Sequence, residues 1–111
     1  MRKVFSRIGI LSILALSANN ALAAKPSDEV LSYCTSVSEM AGSIMRNRQD
    51  EVSMAKMMRA SAGDPFVDAL GAEIIKDAYS TSAFRAEENK KRAVSEFENK
   101  WFSICLKAKD K

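Results

Sequence analysis

The sequence predicts an all-α fold: a small bundle of about four helices, the first and last antiparallel and joined by a disulfide. Three observations carry this. Apolar side chains recur at three- and four-residue spacing through residues 27–108, and no run alternates for long enough to make a strand. The two prolines, Pro26 and Pro65, fall just before or at the start of a periodic segment, where proline is tolerated. Cys34 and Cys105 are the only cysteines, and they stand near opposite ends of the periodic region.

A leader precedes the helices. Arg2, Lys3 and Arg7 are followed by an apolar run from Ile8 to Ala18, and Ala21-Leu22-Ala23 offers a small-x-small site. This reads as a secretory signal peptide cleaved between Ala23 and Ala24, with an apolar stretch too short to span a bilayer stably. Cys34 lies eleven residues past Ala23, too far for a lipid anchor. The expectation is a leader over 1–23 and one helical domain over 24–111, periplasmic or secreted, without a stable membrane anchor. Three basic residues leave with the leader, so the 17 basic and 14 acidic residues of the chain become 14 of each. The precursor's basicity therefore argues for no nucleic-acid or anionic-membrane partner.

Ser27 is a fitting N-cap for the first helix, with Asp28 and Glu29 in the first turn where the helix dipole favours them. Val30, Cys34, Val37, Ala41, Ile44 and Met45 then form one apolar stripe, which ends at a polar stretch, 46–51. A short second helix is capped by Ser53, shows an apolar face of Met54, Met57 and Met58, and stops at Gly63. In the third, Asp64 caps, Pro65 takes the first helical position, and Phe66, Leu70, Ile74 and Ala78 step by four as its core face. Residues 79–82 break the pattern. The fourth and longest helix is expected over 84–108, with Val94, Phe97, Trp101, Ile104 and Cys105 on one arc. Its other side offers three acid-before-base pairs, Glu87–Lys91, Glu88–Arg92 and Glu96–Lys100, marking a solvent face.

Two cysteines in an exported chain allow one intramolecular bridge, Cys34–Cys105. Two separate buried thiols, or a redox-active pair, are the other readings; a separation of 71 lacks the close spacing of an oxidoreductase. The bridge requires Cα atoms within about 7 Å, which makes the first and last helices antiparallel neighbours. A domain of this size has a marginal core and gains most from such a staple.

Chemistry is thinly represented. The chain has no histidine, the commonest general base and metal ligand, and no glycine-rich phosphate loop. No catalytic residue and no cofactor is expected. The methionines could fill the core, face a partner, or bind Cu(I) or Ag(I) through a Met54-x-x-Met57 pair. Arg46, Arg48 and Gln49 either complement the dipole at a helix end or anchor an acidic partner. Trp101 and Phe102 project about 100° apart, so Phe102, with Leu106 one turn on, lies on the flank of the core arc. Either the second or third helix covers that flank or it meets another protein. The candidate contact residues are therefore Phe102, Leu106, Met54, Met57, Met58, Arg46, Arg48 and Gln49.

Taken together, Cys34, Arg48-Gln49 followed by Ser53-Met54-x-x-Met57, Ala78-Tyr79, and Phe97-x-x-x-Trp101-x-x-x-Cys105 resemble a type of small secreted two-cysteine helical protein of Gram-negative bacteria and their prophages. The resemblance spans nearly the whole mature chain and implies a compartment and a disulfide rather than an activity. A looser resemblance, in size and layout only, is to the periplasmic acid-stress chaperones of HdeA type. The expected function is a non-enzymatic binding module, an inhibitor or adaptor, for another periplasmic or envelope protein. A stress chaperone and a methionine-based Cu(I) or Ag(I) binder are the alternatives.

Overall fold

Four helices account for the architecture seen in a computed structural model, which describes residues 25–60 and 62–110; the expected leader lies outside the described residues. They are α1 (Asp28–Gln49), α2 (Met54–Arg59), α3 (Pro65–Ala78) and α4 (Glu87–Lys109). No strand occurs among the described residues, and none of these helices is long and apolar enough to cross a membrane.

Three of the four N-termini are set by the expected caps. Ser27 Oγ accepts the Val30 N–H (3.2 Å) and Ser53 Oγ the Lys56 N–H (3.1 Å). Asp64 Oδ1 accepts from both Phe66 and Val67, with Pro65 behind it. The fourth differs: α4 begins at Glu87 rather than Phe84, and its N-cap Ala86 has no side-chain acceptor. Residues 82–86 stay outside the helix, in a segment where the Gln49 side chain holds both Ser82 O and the Phe84 N–H. The end of α2 also differs. It stops at Arg59, and Gly63, in left-handed backbone at φ 87°, shapes the following loop rather than the helix end. At the end of α1, Glu51 takes the left-handed position (φ 63°) of a Schellman turn, where Val52 N–H reaches Asn47 O and Glu51 N–H reaches Arg48 O.

The core joins α1, α3 and α4. Cys34, Ala41, Met45, Ile74 and Ala78 are almost wholly excluded from solvent, with Val37, Ile44, Phe97, Trp101 and Cys105 around them. The Cys34–Cys105 disulfide is formed, with its Cα atoms 5.5 Å apart, and makes α1 and α4 antiparallel neighbours, the densest helix pair. Residues 50–60, carrying α2, return the chain along α1. As a result, Phe66 at the start of α3 shares a cleft with Tyr33 near the start of α1, and Tyr79 at its end meets Arg48 near the end of α1. So α3 runs in the same sense as α1.

The expected i,i+4 pairs on α4 do not close. Glu87 pairs with Lys90 instead (3.8 Å), while Lys100 reaches across to Asp77 on α3 (2.8 Å) and Glu98 to Arg46 on α1 (4.0 Å). Of the three expected bases, Lys100 pairs with an acid on a neighbouring helix rather than with one on its own.

Candidate functional site

The stepwise exposure of one helix face builds the site. Along α3, Ala78 and Ile74 are fully buried, Leu70 is half-buried, and Phe66 is 66% exposed. All four lie on the face expected to be core. The helix is therefore tied down at its C-terminal end and splayed at its N-terminal end. The ties are polar. Asp77 accepts the indole N–H of Trp101 (2.9 Å) and the ammonium of Lys100 (2.9 Å), and the Tyr79 hydroxyl donates to Val52 O.

The splayed end opens two clefts, one on each side of α3. The first, about 220 Å³, lies between α1, α3 and α4 beside the disulfide. Its walls include Leu70, Val37, Trp101 and Cys105, and Phe66, Tyr33 and Ile104 stand at its mouth. Tyr33 is 37% and Ile104 39% exposed, so with Phe66 they present three large apolar side chains to solvent. Ile104 thus sits at the edge of its expected arc, not within it. Lys109 is the only charged residue in the lining, its ammonium 4.3 Å from the centre of the Tyr33 ring. This rim gives the cleft one positive charge beside an apolar floor.

The second cleft, about 450 Å³, lies between α1, α2 and α3. Met40, Met57 and Met58 line it together with Ile44 and Ile75. Met54 is exposed and faces elsewhere, so the expected Met54–Met57 face is not the one the fold assembles. No residue of α2 is buried; of the chain's methionines outside the leader, Met45 alone is fully enclosed in the core.

Two of the predicted contact residues turn inward. Gln49 is 3% exposed, donates to Ser82 O (2.9 Å) and to Met45 Sδ (3.4 Å), and accepts the Phe84 N–H (2.8 Å). Arg48 donates from Nε to Thr81 O (2.8 Å) and lies over the Tyr79 ring at 5.0 Å. Both side chains clasp the α3–α4 connector: Gln49 is fully engaged there, while Arg48, half-buried, is bound through its Nε. Burial pushes the Tyr79 phenol above its ordinary value of 10.0, and the Arg48 guanidinium pulls the other way. Arg46 remains at the surface, loosely paired with Glu98. Phe102 and Leu106 are partly buried against the edge of the core. They are flank residues and do not line the two apolar clefts.

Sequence periodicity missed Phe66, Ile104 and Tyr33 as exposed residues. It identifies the face a residue lies on, and says nothing of how far the neighbouring helix has diverged at that level. The one available signal was position: Phe66 follows an N1 proline in the first turn of α3, ahead of the point where that helix closes on α1. Comparison with protein-family models, with curated proteins and with solved structures finds no match to this chain.

Proposed function

We propose that this chain is a non-enzymatic protein-binding module, an inhibitor or adaptor acting in the periplasm or outside the cell. The observation that carries the reading is the exposed cluster of Phe66, Tyr33 and Ile104 around the cleft beside the disulfide. A phenylalanine two-thirds exposed is costly to solubility and useful to binding. Aromatic side chains at the mouth of an apolar pocket are where binding energy concentrates. The positive rim at Lys109 favours a partner that presents an apolar anchor with a carboxylate beside it. The intramolecular disulfide accords with an oxidising compartment, as the leader-like segment does.

The rigid side of this reading comes from the staple. The cleft is built on α1 and α4 next to the Cys34–Cys105 bond, so its floor is held in place before a partner arrives, which lowers the ordering cost of association. The test is crosslinking in intact cells that express the full precursor, followed by identification of what co-purifies from the periplasmic fraction. One stoichiometric partner at neutral pH, lost with Phe66→Ala in a protein that still folds, is the expected result. Many weak partners that multiply on acidification would replace this reading with a stress chaperone.

A further inference from the structure

The methionine cleft between α1, α2 and α3 carries a second, independent inference. Met40 comes from α1, and Met57 and Met58 from α2, so three thioethers from two helices line one space of about 450 Å³. Met40 and Met57 are half-buried against the core, while Met58 is 37% exposed. The three side chains therefore grade from half-buried to exposed, giving an entry path. Around them the lining is mostly aliphatic; Asp68 is the one carboxylate, and its Oδ1 already accepts the Ala62 N–H (2.7 Å).

Thioether sulfur is a soft donor that selects Cu(I), and Ag(I) by the same softness, over Zn²⁺ or Cu²⁺. The chain contains no histidine, and both cysteine sulfurs are tied up with each other, so its soft-metal chemistry rests on methionine. Methionine has three rotatable bonds, and α2 has no buried residue that would fix it in place. Three sulfurs can thus draw together around one ion without disturbing the α1–α4 core. We propose that Met40, Met57 and Met58 form a three-thioether site for a soft monovalent cation, Cu(I) or Ag(I).

The test uses the folded, disulfide-intact protein without its leader. Ag⁺ is titrated by calorimetry and thermal shift, and Cu(I) by competition with a colorimetric chelator. One equivalent binds and raises the melting temperature, while Zn²⁺ does neither. Leucine conserves methionine's volume and removes its donor. Met40→Leu, Met57→Leu and Met58→Leu therefore each weaken binding by about tenfold or more, and Met54→Leu leaves it unchanged. A second readout needs no variant: bound Ag⁺ protects Met40, Met57 and Met58 of the unaltered protein from peroxide, and leaves Met54 to oxidise. Absence of Ag⁺ binding, binding undiminished in the triple leucine variant, or equal loss with Met54→Leu would each overturn the assignment.

Discussion

Replacing Asp77 with alanine removes the two polar ties between α3 and α4, the Trp101 N–H and Lys100 ammonium contacts at 2.9 Å each. Trp101 is 9% exposed, so its indole N–H is left without a partner at a site water reaches poorly. Stranding such a donor costs about 1–3 kcal/mol. The Lys100 side chain is half exposed, and its ion pair adds only ~0–1 kcal/mol after screening. Against this, alanine is the better helix former by about 0.5 kcal/mol, and a negative charge leaves the C-terminal end of α3, worth a few tenths more. The net loss is about 1.5 kcal/mol, which for a domain of this size lowers the melting temperature by about 6–12 °C. Urea unfolding with the disulfide intact, followed by circular dichroism and by the fluorescence of the single tryptophan, measures it. Asp77→Asn keeps an oxygen for the indole, so its loss is less than half as large. Two outcomes would refute the reasoning: Asp77→Ala within ~0.5 kcal/mol of the unaltered protein, or Asp77→Asn as damaging as Asp77→Ala. The first would mean that the tie carries no stability, the second that charge rather than the acceptor matters.

Four further outcomes are expected. Cys34→Ser with Cys105→Ser opens a 71-residue separation and destabilises by about 4 kcal/mol in the chain-entropy model, read from urea midpoints with and without reductant. Gln49→Leu fills the same space but leaves Ser82 O and the Phe84 N–H unpaired, costing about 2 kcal/mol and speeding amide exchange at Phe84. Glu51→Gly relieves a left-handed residue at the Schellman position and raises stability by about 0.5 kcal/mol; a decrease would show that Glu51 is not strained there. The Tyr79 phenol holds its proton to higher pH in the folded chain than in the unfolded one. Its contribution is therefore full below pH 10.0 and lost as pH rises through the folded value, a decline that Tyr79→Phe removes from the stability profile.

Local chemistry explains how much of the fold could be read from the chain. Ser27, Ser53 and Asp64 cap the helices they precede, because a cap acts within three residues and needs no tertiary context. The pairing of α1 and α4 was legible for a different reason: with only two cysteines a single bridge is possible, and it ties the early part of α1 to the late part of α4. Other features that depend on a distant segment were out of reach. The segment before α4 is pinned by Gln49, 35 residues away from the Phe84 N–H that it holds. Ile75 is buried alongside Ile74, although it lies off the i+4 series that the sequence suggests, because that side of α3 faces α1 and α2. Arg48 and Gln49 read as surface polars at a helix end, yet the connector folds back over them. The site shows the same division. The methionine-rich segment was visible, but which three sulfurs share a cleft follows from the placement of α2 against α1, and the exposure of Phe66 from the splay of α3.

The cleft beside the disulfide is most directly tested with a photo-reactive residue placed at position 66 of the exported protein. A control at position 99, an exposed site on the side of α4 opposite Trp101, reports encounters unrelated to the cleft. Irradiation of intact cells should give one dominant adduct from position 66 and none of that mass from position 99. Equal adducts from both positions, or none from position 66 while the protein remains folded, would contradict a binding role for this cleft.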